Sequence, residues 1–357
     1  MRRLWRSVLG GLVPYDAGLP LVDLARQIGR PDLVRLSANE NPLGPSPLAV
    51  AAVEREAPRI HLYPDGGSTA LREALGRSHA VAPSQIVVGN GADELIALIA
   101  AAAFEAGDEV VVPMPSFEPY EISARLAGGR VVESPLVDYQ TDLDDVFRRV
   151  SDRTKAVMLC SPHNPATTII RRGALLAFLD ALGPDSPLVV LDQAYIDFCD
   201  EPDHPDGIRL LERYPRLVVL RTFSKIAGLA GLRVGYAVAS AEAIDRFNRV
   251  RAPYNVNRLG QIAALAALED HAHTEKTRQL VLEERAYLSA ELIKRGYSFP
   301  PSQANFLLVA VPDAPGLRTR LMREGILVRD GAGVGFPGHL RFAVGLRETN
   351  DKLLSLL

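Results

Sequence analysis

From Gln85 onward the chain repeats one unit: a short continuous apolar run, a polar or glycine-containing turn, and then a helical segment. The runs read IVVG, VVVP, RVVESPL, KAVMLC, PLVVLD and LVVLRT, and the segments between them include ADELIALIAAAAFEAG, DLDDVFRRV and ALLAFLDALG. A strand without polar alternate positions has to be buried on both faces. Helices placed between successive strands supply that cover, so the pattern predicts an α/β fold with a mostly parallel, mixed sheet between helices. Sheets of this kind gather ligands beyond the carboxyl ends of their strands. Here those ends carry Gly89 to Asp93, Phe117, Asn164, Asp192 with Tyr195, and Lys225. VVVPMPSFEPY is expected to break as a strand at Pro113 and Pro115.

After about residue 245 the texture changes. The stretch from Arg258 to Gly296 reads as one long helix or a broken pair. ANFLLVAV, ILVRD and HLRFAVG read as strands and GLRTRLMREG as a helix, which together predict a smaller α+β domain. We expect residues 1–45 to form an N-terminal arm and part of the small domain, with one helix around Pro20 to Ile28. Residues 46–250 then form the large domain and 251–357 the small one. Arg35 to Pro47, RLSANENPLGPSP, is too rich in Asn, Pro and Gly for regular structure. It is a solvated connector or a loop that lines a site.

The totals exclude several classes. Lys plus Arg number 40 and Asp plus Glu 43, and a net charge of -3 gives no electrostatic case for nucleic acid or a membrane surface. The longest apolar stretch, Leu95 to Phe104, is too short to span a bilayer. Cys160 and Cys199 show no ligand spacing, so reduced thiols, no metal and a cytoplasmic setting are expected. The start, MRRLWRSVLGGLVPY, is interrupted by Arg6 and lacks a small-residue cleavage site, so it reads as an arm and not as a signal peptide.

The chemistry concentrates at the strand ends. GNGADEL is a glycine turn opening a helix, which points backbone N–H groups at an anion; Asp93 and Glu94 can equally complement the helix N-terminus. Asp192 ends an apolar strand and must have a partner there, either a cap, a structural cation or a cationic ring nitrogen. Tyr195 and Asn164 offer a phenol and an amide to the same space, and Phe117 offers a flat face. Lys225, between Thr222, Ser224 and the glycine-spaced loop to Arg233, is either a surface lysine or an amine activated by desolvation. A phosphate cup, a flat face, a carboxylate, a phenol, an amide and a lysine are what a phosphorylated pyridine aldehyde requires.

These segments resemble the fold-type I pyridoxal-phosphate-dependent aminotransferases, and within them the histidinol-phosphate aminotransferase branch. LVPYDAGLP, RLSANENPLGPSP, YPD, GNGADELI, DQAYIDF, RTFSKIAGLAGLRVGY, PYNVNRLGQIAALAALED, QANFLLV, GILVRD and HLRFAVG carry the likeness nearly end to end. The resemblance implies that Lys225 holds pyridoxal 5'-phosphate covalently and shuttles the proton. It implies Asp192 at the pyridine nitrogen, Tyr195 and Asn164 at the ring hydroxylate and Phe117 stacked on the ring. Ala92, Asp93, Thr222, Ser224 and Arg233 would hold the phosphate. Tyr63, otherwise an ordinary turn tyrosine, would reach the cofactor phosphate of the other subunit of a homodimer with shared active sites. Arg341, Arg329, Tyr15 and Asn39 would meet the substrate. The reaction implied is transfer of the amino group of histidinol phosphate to 2-oxoglutarate in histidine biosynthesis. The alternatives are an aromatic amino-acid aminotransferase or a phosphothreonine-type decarboxylase of the same fold. Two turns depart from the family: Asn164-Pro165-Ala166-Thr167 stands where N-P-T-G is usual, and Asp192-Gln193-Ala194-Tyr195 where D-E-A-Y is usual.

Overall fold

A computed structural model describes residues 4–13 and 20–357. Its strands, in chain order, are β1 (Val34–Arg35), β2 (Ile86–Gly89), β3 (Glu109–Met114), β4 (Arg130–Pro135), β5 (Thr154–Cys160) and β6 (Leu188–Asp192). They continue with β7 (Leu217–Thr222), β8 (Gly235–Val238), β9 (Phe306–Ala310), β10 (Ile326–Leu327), β11 (Arg329–Asp330) and β12 (His339–Ala343). Seven of them form one sheet in the order β2-β8-β7-β6-β5-β3-β4. Only β8 runs against the rest of that sheet, antiparallel to both β2 and β7. The expected mixed, mostly parallel sheet is therefore present.

Both faces of the sheet are covered. In β7, Leu217 and Val219 enter one apolar core while Val218 and Leu220 enter the other, and β6 splits Val189 and Leu191 from Val190 in the same way. Each such side chain contributes roughly 1.5–3 kcal/mol on burial. That is why these strands lack the polar alternation of a one-sided sheet. Pro113 lies inside β3 and does not end it. β3 pairs with β5 only as far as Val111, so the proline falls beyond that ladder, while pairing with β4 continues to Met114. The missing N–H of proline therefore costs little there.

A second sheet, β11-β12-β9, is antiparallel, and β1 pairs in parallel with β10, which ties residues 34–35 to the C-terminal part of the chain. The stretch after residue 257 is a broken pair of helices, Arg258–Leu268 and His271–Lys294. Ala263, Ala264 and Ala267 of the first pack in the core of the large sheet, whereas Val281, Leu288 and Leu292 of the second pack with the small sheet. The break carries Asp270, whose carboxylate accepts from Ser46 Oγ at 2.6 Å and from the His273 N–H at 3.1 Å. The arm helix is Leu21–Ile28.

The parallel strands all deliver their carboxyl ends to one edge of the sheet. β8 starts at that edge, so Arg233, just before it, arrives where the parallel strands end. One further contact fixes this edge. Gly228 has φ 69°, and a Cβ there would stand 2.2 Å from the Gly44 carbonyl oxygen. Only glycine lets the loop after Lys225 lie against the loop at residues 44–45.

Candidate active site

A cleft of about 340 Å³ opens at this edge, within the size range of small-molecule sites. Lys225 lies on its wall, one turn past β7. The loop that carries it is pinned by the Phe223 N–H to Val234 O at 3.0 Å and the Leu229 N–H to Phe223 O at 3.0 Å. Lys225 Nζ donates to Ala38 O at 3.3 Å and lies 5.5 Å from the centre of the Tyr195 ring. Burial first, then the positive field of Arg341 and, more weakly, Arg233, push its amine down to about 8, with Glu40 and Asp93 opposing. Far more of the side chain is thus unprotonated, nucleophilic amine near neutral pH than in an ordinary lysine.

Asp192 ends β6 beside it. Tyr120 Oη donates to its Oδ2 at 2.7 Å and the Ala194 N–H to its Oδ1 at 2.9 Å. Burial nonetheless pushes its carboxyl up, since two hydrogen bonds and the nearby Lys225 offset only part of the desolvation. A cation placed against this carboxylate would satisfy it, and a protonated ring nitrogen is such a cation. Phe117, in the same cleft, meets Tyr120 edge to face at 5.7 Å, which fixes its ring.

The anion cup forms where β2 ends. Gly91 has φ 82°, and a Cβ there would stand 2.6 Å from Arg233 Nη2, so the guanidinium packs directly on the turn backbone. The helix Ala92–Ala103 begins there and turns its first N–H groups toward the cleft, which Ala92 and Asp93 line. Arg233 is held by Asp93 Oδ2 at 2.9 Å and Ala230 O at 3.2 Å, with its own backbone at φ 56°. Left-handed backbone at an arginine is strained, and such strain clusters at sites where position matters. Thr222 Oγ1 donates to Ser224 Oγ at 3.0 Å and completes the cup with two hydroxyls. A glycine turn, a helix N-terminus, two hydroxyls and a guanidinium suit a phosphate.

The far wall belongs to the small sheet. Arg341 is buried: Nη1 donates to Asn164 Oδ1 at 2.7 Å, Nη2 to Ser37 O at 2.9 Å, and the guanidinium lies 5.3 Å from the Phe306 ring centre. Asn164 keeps its amide nitrogen as a donor. In the β11–β12 register Arg329 stands directly opposite Arg341. Like charges facing each other across strands are unfavourable, so this register favours an anion between them. Asn39, with φ 54°, donates from Nδ2 to Tyr195 Oη at 3.1 Å, while its buried Oδ1 has no partner among the described residues. Burial, ahead of the opposing Arg341 and Asn39, pushes the Tyr195 phenol up to about 12.

The cleft thus brings together Lys225, Ala92, Asp93, Phe117, Asn164, Asp192, Tyr195, Thr222, Ser224, Arg233, Arg329, Arg341 and Asn39. Tyr63 is elsewhere, 78% exposed and stacked on Tyr254 at 4.7 Å. Tyr15 lies outside the described residues. Both departures from the family turns have a local explanation. Thr167 adopts φ 67° in place of the usual glycine, and its N–H bonds His163 O at 2.7 Å. Gln193 does not line the cleft: it accepts from Arg221 at 3.1 Å and the Gly207 N–H at 3.1 Å, and donates to Pro205 O at 2.7 Å. Sequence reasoning missed Tyr120, which the proline-rich run after β3 disguises as strand. It also missed Arg35 and Glu40, two residues of the Arg35–Pro47 stretch that line the cleft.

The residues present fit pyridoxal phosphate, with a cup for its phosphate in which the Arg233 guanidinium rests on Gly91, where a Cβ would displace it, and a buried carboxylate short of a cation. Replacing Tyr120 with Phe removes a hydrogen bond to a charged group, worth about 1.5–3 kcal/mol. Tyr120→Phe is expected to raise the dissociation constant of pyridoxal phosphate by about tenfold in an equilibrium titration; unchanged affinity contradicts this role. The Lys225 amine reacts only when unprotonated. Capture of pyridoxal phosphate by the apoprotein in stopped flow is therefore expected to speed up as pH rises and to level off just above about 8. A rate still climbing toward about 10.4 would show an ordinary lysine.

Residues 31–357 match the family model described as aminotransferase class I and II. A histidinol-phosphate aminotransferase of Anaeromyxobacter sp. (strain Fw109-5) is 44% identical over 98% of this chain and 96% of its own length. One of Moorella thermoacetica (strain ATCC 39073 / JCM 9320) is 40% identical over 99% of this chain and 92% of its own. The crystal structure of histidinol-phosphate aminotransferase from Sinorhizobium meliloti in complex with pyridoxal-5'-phosphate superposes with a TM-score of 0.90 at 28% identity, covering 99% of this chain and 96% of that one. With this fold and this cleft, the chain belongs to the class I and II aminotransferases, enzymes that work with pyridoxal phosphate.

Proposed function

We propose that the protein transfers the amino group of histidinol phosphate to 2-oxoglutarate, giving imidazole acetol phosphate and glutamate, a step of histidine biosynthesis. The observation that carries this reading is the pairing of Arg329 with Arg341 across β11 and β12, on the wall facing Lys225. One guanidinium suffices for the carboxylate of an ordinary amino acid. Two in register favour a dianion such as a phosphate monoester, and they can take the carboxylate of 2-oxoglutarate in turn. The names of the close relatives point the same way.

When bound, pyridoxal phosphate supplies an electrophilic carbonyl carbon and a ring that accepts the electron pair of a deprotonated carbon. The protein's part follows from its own groups. The anion cup with Arg233 and the hydroxyls of Thr222 and Ser224 would anchor one end, and Phe117 would hold the ring. The Asp192 carboxylate, positioned by Tyr120, would keep the ring nitrogen protonated. The Asn164 amide and the Tyr195 hydroxyl would bond the ring oxygen. The Lys225 amine would take the proton from the substrate carbon that bears the amino group and return one on the other side of the transferred nitrogen, as base and then acid.

The protein is further read as a cytoplasmic homodimer whose subunits complete each other's sites. Tyr63 supports this, since it presents an exposed aromatic stack away from its own cleft. Leu4 and Trp5 of the arm are 80% and 75% exposed, an apolar surface that a second copy would cover. No helix among the described residues is long and apolar enough to cross a membrane, and both cysteines are free thiols. The domains in this reading are 1–45, 46–250 and 251–357, with the helix Arg258–Leu268 packing against the core of the large sheet.

Mixing the holoenzyme with histidinol phosphate in the absence of an acceptor is expected to bleach the cofactor's visible band within one turnover, at a rate at least about a hundredfold above that with phenylalanine. A preference for phenylalanine would replace this reading with the aromatic one. Dimer sharing has its own test. Tyr63→Ala and Lys225→Ala subunits, each nearly inactive alone, should recover about a quarter of wild-type activity when mixed and re-assembled, because one intact site forms in each hybrid dimer. No recovery in verified hybrids refutes the shared site.

A further inference from the structure

Arg35 and Glu40 stand at the mouth of the cleft and take no part in the roles assigned above. Both line the same space as Lys225, and Glu40 is close enough for its charge to be felt at the lysine amine. Arg35 Nε donates to Glu40 Oε2 at 2.9 Å and Nη2 to Oε1, a two-point pair. The side chains are 41% and 34% exposed, so the pair contributes little to stability and can open for a ligand. Their backbones, in contrast, are fixed. Arg35 ends β1, which pairs with β10. The three residues before Glu40 each bind a group of the site: Ser37 O accepts from Arg341, Ala38 O from Lys225, and Asn39 donates to Tyr195.

A transaminase must seat two substrates in turn on the same reacting atoms. Histidinol phosphate ends in an imidazole, which offers an N–H donor, whereas glutamate and 2-oxoglutarate end in a carboxylate. A carboxylate bonded twice by a guanidinium still has free lone pairs, and the guanidinium has further N–H groups. We propose that Arg35 and Glu40 read the distal end of both substrates, Glu40 accepting from the imidazole N–H and Arg35 donating to the distal carboxylate of glutamate and 2-oxoglutarate. A phenyl ring satisfies neither partner and would only desolvate the pair, which disfavours aromatic amino acids. The proposal rests on the functional reading above.

The test compares two half-reactions, with histidinol phosphate and with glutamate, on each of three holoenzymes: wild type, Glu40→Gln and Arg35→Gln. Both rates come from one preparation, so any loss of folded or loaded protein cancels in their ratio. Glu40→Gln is expected to lower the ratio of kcat/KM for histidinol phosphate over glutamate at least tenfold, and Arg35→Gln to raise it at least tenfold. In isothermal titration, glutarate, which has two carboxylates and no amine, should bind Arg35→Gln at least tenfold more weakly than wild type. Ratios that stay within twofold, or that move in the same direction in both variants, overturn the proposal, as does unchanged glutarate affinity. Wild type that consumes glutamate but not histidinol phosphate overturns the functional reading first, and this inference with it.

Discussion

Two ionisable groups of opposite sign, Asp192 and Lys225, stand desolvated at the ends of adjacent strands β6 and β7, and the surrounding structure serves to keep them there. Burial pushes the carboxyl up and the amine down, so each is less charged than it would be in water. That is unfavourable for the empty protein and useful for a ligand that brings a ring cation to the one and a carbonyl carbon to the other. The apolar cores on both faces of the sheet make this arrangement possible, because they bury the strands that carry the two groups and keep water from relieving either charge.

The loop from residue 37 to 40 links this pair to the rest of the site. In four successive residues it meets Arg341, Lys225, Tyr195 and Arg35. It also joins the two sheets, since it follows directly from β1 on the small-sheet side and leads to the helix Pro47–Glu56 on the large-sheet side. A few residues further along the same connector, Gly228 lets the lysine loop lie against Gly44 and Pro45. Any movement of the small sheet relative to the large one is therefore felt at the amine, at the phenol and at the arginine wall together.

Much of the site was legible in the sequence because its chemistry is local to strand ends. A polar residue that closes an apolar run, such as Asp192, Asn164 or Lys225, shows its anomaly within a window of about ten residues. What the sequence hid depends on pairing at a distance. Tyr120 meets Asp192 only because β3 and β6 flank β5 in the sheet. The face-to-face placement of Arg329 and Arg341 is a register between strands twelve residues apart in number, which alternation within β12 alone cannot reveal. Pro113 misled because its position relative to the β3–β5 ladder, and not its identity, decides whether a strand ends. The roles proposed for Tyr63 and for the arm turn on a second copy of the chain, which no local pattern describes.

The central claim is that Lys225 is the reactive amine. The chain has five lysines, and Lys155, Lys276 and Lys294 are exposed while Lys352 is paired with Asp32 far from the cleft. Borohydride reduction of the protein loaded with pyridoxal phosphate, followed by peptide mass mapping, locates the attachment point directly. One phosphopyridoxyl group per chain is expected, confined to the peptide that carries Lys225. A label on any of the other four lysines, or a protein that stays unlabelled while it retains the cofactor, would contradict it.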